Sequence, residues 1–304
     1  MNYKNYLFLL LSLSFFQPIL AKISFEGIKS KISNMFSRQT EEIIHKQFPI
    51  NKNGILSLEN IQGNITIKTE WKQNYIMLKA TKQISKKENL KNIDITIHKE
   101  PSKNQILVKT EYKNKNKTGS VDYELIVPNN ITVDLKTKKG SIKIKRIKGK
   151  IKATSDDGDI KIIEAKGPIV AHTLQGNIEV HHSLKSIHAQ AESGNILVAC
   201  KKIPSIHQIS LQTKKGNIAI TLPEKTNAEI KAKTKTGKVT SDHFITLKPQ
   251  TVTLNKKTWA RFKKEVYGTL GSGEATIELG SNHGNIKISR AKTLKNNQKA
   301  NKIT

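Results

Sequence analysis

The carboxylates best suited to hold a metal ion or to do acid–base chemistry lie together at Asp156-Asp157-Gly158-Asp159. Three carboxylates at one corner of a chain could hold Ca²⁺, which takes oxygen ligands. An EF-hand loop, however, needs a glutamate at its twelfth place, and the twelfth residue counted from Asp156 is Gly167. We therefore interpret the cluster as a solvated turn.

An enzyme built on a parallel β-helix would need carboxylates that converge on one face from successive turns. The positions that match the Asp cluster in the adjacent turns are not acidic: Lys138, Lys139, Leu174 and Gln175. The sequence also has no Walker loop, no GxSxG elbow and no HExxH pair. It therefore predicts a protein that is not an enzyme and that uses no metal and no cofactor.

Histidine and cysteine could also bind metal or act as nucleophiles. His172 and His181 hold the same outward place in consecutive repeat units, and His182 and His188 lie close by. A zinc site needs three converging ligands, so we interpret these four as surface side chains. The single Cys200 excludes an intramolecular disulfide. We predict that it is a small packed or half-exposed side chain rather than a nucleophile.

Charge is the strongest compositional feature of the 304-residue chain, with a formal net charge of +29. Of the 53 basic residues only four are arginine, although arginine's planar fork suits phosphate best. An AT-rich genome would produce a similar excess of Lys, Asn and Ile, so both a selected anionic-binding surface and compositional drift stay open. Lys143, Lys152 and Lys161 hold the same place in consecutive units. They are the predicted anion-binding residues, with attraction that falls as salt rises.

Aromatic and basic residues alternate near the end of a segment that breaks the repeat, Pro249–Lys264. Such a cluster could stack on sugars or bases, or it could anchor a long loop. The residues concerned are Trp259, Arg261, Phe262, Lys263, Lys264 and Tyr267.

These side chains must be positioned by a nine-residue repeat that runs from Gly140 to Lys202. The third place of each unit is Ile: Ile142, Ile151, Ile160, Ile169, Ile178, Ile187 and Ile196. The fifth place alternates between large residues and alanine: Ile144, Ala153, Ile162, Ala171, Val180, Ala189 and Val198. Apolar residues at every second position indicate short strands with one buried face, and the alternation at the fifth place doubles the period to eighteen residues.

The sequence therefore predicts an all-β protein, with a β-solenoid of 18-residue turns as the favoured architecture. An antiparallel β meander or sandwich fits the period nearly as well. A glycine opens most units and suits a bend with positive φ or close backbone packing. The predicted structural glycines are Gly140, Gly149, Gly158, Gly167, Gly176, Gly194, Gly216 and Gly284.

Around the repeat, the chain divides into further segments. Residues 1–21 resemble a secretory signal peptide, with Lys4 before an apolar run; an uncleaved N-terminal anchor is the alternative. Residues 22–47 are predicted as a spacer or a short amphipathic helix. Residues 48–290 form the β domain, in which strands at 48–135 make an antiparallel sheet that caps the repeat region at 136–290. Residues 291–304 form a polar, disordered tail.

A longer ordered pattern carries a resemblance to a known family. It runs from Gly63-Asn64-Ile65 through Trp71 and the segment Tyr123–Pro128 to the Gly-polar-Ile units, then Gly271-Ser272-Gly273 and Gly284-Asn285-Ile286. Over about residues 50 to 290 the chain resembles the bacterial putative-adhesin domain family, a domain of unknown function built of β-strand repeats. The resemblance implies a surface or envelope location and a binding role, and it brings no catalytic residues.

We expect from these observations an exported, non-enzymatic protein of the bacterial envelope or surface, with a basic face for anionic polymers. The expected partners are anionic polysaccharide, lipopolysaccharide or the envelope surface. Two alternatives stay open: a structural envelope component that binds another protein, and a polysaccharide-active β-helix enzyme. No motif predicts specific nucleic-acid binding, and no later apolar run is long enough to span a membrane.

Overall fold

A computed structural model of the chain describes residues 40–70, 74–84, 87–113, 119–204, 207–248 and 264–291. The predicted signal peptide, Trp71, most of the predicted tail and the aromatic cluster from Trp259 to Lys263 lie outside these ranges. Short 3₁₀ helices lie at Lys87–Asn92 and Pro101–Lys103. The rest of the regular structure in the described residues is β-strand.

In chain order the strands are β1 (Thr40–Pro49), β2 (Ile55–Gln62), β3 (Ile65–Glu70), β4 (Tyr75–Ile84), β5 (Ile93–Glu100), β6 (Gln105–Tyr112), β7 (Ser120–Pro128), β8 (Thr132–Lys139), β9 (Ile142–Lys145), β10 (Ile151–Asp157), β11 (Ile160–Ile163), β12 (Ile169–Gln175), β13 (Ile178–His181), β14 (Ile187–Ser193), β15 (Ile196–Ala199), β16 (Gln208–Lys215), β17 (Ile218–Leu222), β18 (Ala228–Thr234), β19 (Val239–Ser241), β20 (Thr246–Leu247), β21 (Glu265–Leu270), β22 (Ala275–His283) and β23 (Ile286–Arg290). They form two sheets. Sheet A has the order β1-β4-β7-β3-β9-β11-β13-β15-β17-β23-β19, and sheet B has the order β20-β21-β18-β22-β16-β14-β12-β10-β8-β2-β6-β5.

From β8 to β19 the chain alternates between the two sheets, and like strands stack in parallel. In sheet A, Ile142 pairs with Ile160, Ile160 with Ile178, and Ile178 with Ile196. In sheet B, Ile151 pairs with Ile169 in the same way. This arrangement confirms the β-solenoid prediction, and the parallel pairing excludes the antiparallel meander for the nine-residue units. Later in the chain, β21 pairs antiparallel with β18 and with β20.

The core lies between the sheets and consists of columns of identical or similar side chains. The large residues of the fifth place stack in sheet A, where Ile144, Ile162 and Val180 are fully buried. The alanines stack in sheet B, where Ala153 and Ala171 are fully buried. Large columns opposite small columns let both sheets pack at the density of a protein interior.

The end of most stacked sheet B strands is held by a buried hydroxyl. Thr173 Oγ1 donates to the carbonyl oxygen of Gly158 at 3.0 Å, and Ser155 Oγ donates to that of Gly140 at 3.0 Å. The same contact recurs at Thr213, whose Oγ1 donates to Gly194 at 2.9 Å. A serine or threonine three residues before the glycine therefore closes one turn onto the previous one, except before Gly194, where Ala191 holds that place.

The glycines themselves form a column in which backbones approach closely. Gly176 has φ +150°, a conformation that L side chains rarely adopt, and a Cβ there would overlap the carbonyl oxygen of Gly158. Beside this column, Asn177 N donates to Asp159 Oδ1 at 2.6 Å, and Asn195 N donates to Asn177 Oδ1 at 2.9 Å. The Gly-Asn-Ile signature thus supplies both the bend and a side-chain ladder along it.

The N-terminal region corrects one prediction. It is not a separate antiparallel sheet, because β2 lies parallel to β8 in sheet B and β3 lies parallel to β9 in sheet A. The solenoid pattern therefore begins before the nine-residue repeats are visible in the sequence. Antiparallel pairing is confined in this region to the outer strands, where β1 pairs with β4, β4 with β7, and β5 with β6.

Residues 40–47 correct a second prediction, since the sequence pattern indicates a spacer or a short helix there. They form most of β1, which pairs antiparallel with β4 along its whole length from Thr40 opposite Ile84 to Pro49 opposite Tyr75. Two consecutive β-branched residues, Ile43 and Ile44, favour strand over helix. No helix in the described part of the chain is long and apolar enough to cross a membrane.

Candidate functional site

The two corners of the solenoid differ sharply in charge. The sheet A strands β9, β11, β13 and β15 are each followed by a corner that leads to sheet B, at residues 146–150, 164–168, 182–186 and 200–204. We name these four corners together the basic ridge. Their backbones stack directly, because Lys166 N donates to Ile147 O at 2.8 Å and Leu184 N donates to Ala165 O at 3.1 Å.

Seven basic side chains and one acidic side chain lie on the basic ridge, and the seven basic ones are exposed. They are Arg146, Lys148, Lys150, Lys166, Lys185, Lys201 and Lys202. The single acid, Glu164, accepts a hydrogen bond from Arg146 Nε at 2.7 Å. That hydrogen bond lowers the pKa of the Glu164 carboxyl.

Two histidines at the ridge add little positive charge at neutral pH. Burial lowers the pKa of His182, and the nearby Lys201 charge lowers it further. Burial and the charge of Lys185 lower the pKa of His207 in the same direction. A lowered histidine pKa means that the ring is neutral at physiological pH, so the ridge charge comes from lysine and arginine.

The opposite corner leads from sheet B to sheet A at residues 138–141, 156–159, 174–177, 192–195 and 214–217, and we name it the balanced corner. It has four basic side chains, Lys138, Lys139, Lys214 and Lys215. It also has four acidic side chains, Asp156, Asp157, Asp159 and Glu192. Over these turns the excess of positive charge therefore lies on the basic ridge. Further along the chain, the next corner from sheet A to sheet B, at 223–227, has one basic and one acidic side chain, and the next corner from sheet B to sheet A, at 235–238, has two basic side chains and no acidic one.

The Asp cluster belongs to the balanced corner. Asp159 Oδ1 accepts hydrogen bonds from both the backbone and the side-chain nitrogen of Asn177, at 2.6 and 3.2 Å. Its carboxylate thus continues the asparagine ladder. Within the described residues, no group of three or more histidine, cysteine or acidic side chains is placed to hold a metal ion.

The predicted row of Lys143, Lys152 and Lys161 does not exist as one row. Lys143 and Lys161 are neighbours in sheet A, whereas Lys152 lies on β10 in sheet B. Lys152 Nζ lies 3.1 Å from Asp134, and Lys161 Nζ lies 2.6 Å from Glu179. Consecutive nine-residue units face opposite ways, so residues at the same place of adjacent units cannot share a face.

The same rule separates the two histidines of the sixth place. His172 lies on β12 in sheet B and His181 on β13 in sheet A. His181 Nε2 lies 3.5 Å from Glu179 on its own strand.

Only part of the aromatic cluster lies within the described residues. Lys264 is exposed, and Tyr267 lies on β21. Lys248 Nζ stands 4.8 Å from the centre of the Tyr267 ring, donates to its hydroxyl at 3.1 Å, and lies 3.2 Å from Glu229. Tyr267 is therefore engaged in an ion-pair network of sheet B.

Cys200 is packed inside the solenoid at 5% exposure, and burial raises the pKa of its thiol to about 12. Because the thiolate is the reactive form, we expect iodoacetamide to leave Cys200 unmodified at neutral pH in the folded protein. The same reagent should modify it fully in denaturant, as followed by intact mass. Rapid alkylation of the folded chain would contradict both the burial and the raised pKa.

Sequence reasoning missed the basic ridge because its lysines do not hold one place in every unit. A signal was present, however, since Lys148 and Lys166 are eighteen residues apart and both precede a glycine.

Solved structures that resemble the chain include a putative cell adhesion protein from Clostridium sporogenes, at 13% identity and a TM-score of 0.37, over 84% of this chain and 100% of that chain. A putative adhesin from Bacteroides fragilis has 11% identity and a TM-score of 0.39, and the match covers 81% of this chain and 97% of that chain. A putative adhesin from Parabacteroides merdae has 10% identity and a TM-score of 0.34, and the match covers 83% of this chain and 97% of that chain. No curated protein matches the chain.

The family comparison covers most of the chain, because the model of the Toastrack DUF4097 family matches residues 28–289. This match confirms the resemblance seen in the ordered strand and Gly-polar-Ile pattern. The chain therefore belongs to the Toastrack DUF4097 family, whose β-solenoid-like fold it shares.

Proposed function

We propose that this protein is an exported, non-enzymatic binding protein that attaches to extended anionic polymers of the cell envelope through its basic ridge. The observation that carries the proposal is the contrast between the two corners, seven basic to one acidic on the ridge and four to four on the balanced corner. Compositional drift toward lysine would load both corners alike. An excess on the same corner over four consecutive turns favours a selected surface.

The geometry of the ridge suits a linear partner. Successive turns of a parallel sheet are spaced by about 4.8 Å, so lysines at the same place of successive corners, such as Lys148 and Lys166, follow one another along the solenoid axis. Each contact between an exposed lysine and an anion is weak in water and is screened by salt. Many weak contacts in a row would give binding that is firm at low salt and reversible at high salt.

Three ridge lysines have no acidic residue on their own corners. Arg146 is the ridge cation that pairs with the one ridge acid, Glu164. Lys185, Lys201 and Lys202 lie on corners that contain no acid. A carboxylated or sulfated polysaccharide would therefore meet cations whose charge is not cancelled by ridge neighbours.

The test is a comparison of two variants that change the net charge equally. Lys166, Lys185, Lys201 and Lys202 are replaced by Gln in the ridge variant, and Lys138, Lys139, Lys214 and Lys215 in the balanced-corner control. Retention is measured on a heparin matrix and on a neutral dextran matrix across a salt series. Since exposed charges are partly screened at physiological salt, we expect the ridge variant to bind heparin on the order of tenfold more weakly, with little change in the control.

Equal losses in the two variants would overturn the proposal, because they would show that overall charge and not the ridge governs retention. Wild-type elution from heparin at or below physiological salt would also overturn it, and would favour a structural component that binds another protein. Retention on neutral dextran would point to recognition of the sugar rather than of its charge.

A further inference from the structure

Strand β1 lies at the outer edge of sheet A. It is ten residues long, contains no glycine, and its only proline is the last residue, Pro49. One side of β1 pairs with β4, while its other side has no strand partner within the described part of the chain. A long unpaired edge offers a row of backbone donors and acceptors to another strand.

The edge of sheet A lies beyond the edge of sheet B by strand order. Three strands lie beyond β3 in sheet A, namely β7, β4 and β1. Beyond β2 in sheet B there are two, β6 and β5. Strand β1 is therefore one strand further out than β5. Sheet B reaches β1 near its last residues, where Lys99 Nζ on β5 lies 5.0 Å from the centre of the Phe48 ring.

The sequence of β1 is complementary to itself. Two identical strands that pair antiparallel in one sheet are related by a two-fold axis perpendicular to that sheet, so each residue and its opposite number face the same side. An axis at Ile44 places Ile44 opposite Ile44 of the second copy and Glu42 opposite Lys46 of the second copy, twice. An axis at Ile43 would instead place Glu42 opposite Ile44 of the second copy, so that neither Glu42 nor Lys46 would face an opposite charge.

The exposure of these side chains fits such a pairing. Ile43 is 51% exposed, an unusual state for a large apolar residue in a sheet. Lys46 is exposed and forms no ion pair within the described residues. Glu42 already lies 3.1 Å from Lys82 on β4 through one oxygen, Oε2, and its other oxygen is available to a second cation.

We propose that β1 pairs antiparallel with β1 of a second copy of this chain, centred on Ile44, so that sheet A continues across two molecules. The dimer carries two basic ridges on one particle. A partner with several anionic sites is then bound through both, which raises the apparent affinity without any new contact at the ridge.

The first test is sedimentation equilibrium of the full-length chain across a concentration series. We expect the mass of two chains, falling toward one chain on dilution. Lys46→Glu places the introduced carboxylate opposite Glu42 at both symmetric positions, and like charges directly opposite destabilise a strand pair. We expect the dimer dissociation constant to rise about tenfold. Lys52→Glu makes the same charge change just outside the strand, on an exposed residue, and should leave the constant unchanged.

The second test fixes the register by disulfide trapping. Directly opposite Cα atoms of an antiparallel pair lie about 4.5 to 5.5 Å apart, within disulfide reach, so Ile44→Cys should give a covalent dimer on oxidation. Ile43→Cys should not, because its own counterpart is displaced by two residues along the strand. A one-chain mass at all concentrations, equal behaviour of the Lys46 and Lys52 variants, or better trapping at position 43 would each overturn the proposal. The buried Cys200 does not interfere.

Discussion

Gly176→Ala is expected to destabilise the fold by about 3 to 5 kcal/mol, because a methyl group there would meet two separate penalties. The first is conformational, since Gly176 has φ +150°. The second is steric, since the added Cβ would overlap the carbonyl oxygen of Gly158 in the previous turn. The overlapped atom is backbone, and it is held in place because it also accepts the hydrogen bond of Thr173.

Urea denaturation followed by circular dichroism would measure this loss. The matched control is Gly273→Ala, where φ is also positive at +79° but the nearest atom to a new Cβ is Thr269 Cγ2 at 3.2 Å. That control carries the conformational penalty without backbone overlap, so we expect a loss of about 1 kcal/mol. Equal losses at the two sites would show that close stacking of the glycine column does not constrain the turns.

Ile162→Ala should destabilise the protein by about 2 to 5 kcal/mol, the usual cost of truncating a large core side chain. Ile162 is fully buried in the sheet A column between Ile144 and Val180. Strand β11 is hydrogen-bonded to β9 on one side and to β13 on the other, so the backbone cannot move in to fill the space. The part of the stability loss that comes from the cavity left by the removed atoms should therefore be near its full value.

Ile163→Ala is the control for this change, because it removes the same atoms from the next residue of the same strand. Ile163 points to the outer face of sheet A and is half-buried, so we expect a loss of about 1 kcal/mol or less. Thermal and urea unfolding of both variants would measure the two losses in the free energy of unfolding. A larger loss at Ile163 than at Ile162 would mean that β11 is placed with the wrong face toward the core.

The local structure can be predicted well from the sequence. The sequence predicts strands within residues 48–135 and in each repeat unit, and the structure has them, because a strand with one buried face repeats its apolar residues every second position. The Ile columns at the third place and the Ala column of sheet B follow from the same pattern, whereas the prediction for Cys200 left a packed and a half-exposed side chain open and the structure buries it. The glycine bends are equally local, since they depend on a conformation that only glycine adopts easily.

The functional surfaces depend on which strands become neighbours, and this is decided by contacts distant in sequence. Alternation of apolar residues does not distinguish a parallel from an antiparallel neighbour, so the predicted separation of the N-terminal strands from the solenoid is wrong. It also does not identify corners, whose lysines follow no apolar period. The alternating Ile and Ala of the fifth place already imply that consecutive units face opposite ways, and that rule removes Lys152 from the predicted row.

Strand β1 is a second example of a feature that the local sequence pattern does not determine. Its residues carry a weak local preference, and pairing with β4 settles their conformation. The local pattern of a chain thus determines where strands form and which face each one buries. The tertiary structure decides which exposed side chains share a surface, because hydrogen-bonded stacking brings together residues that are eighteen or more positions apart.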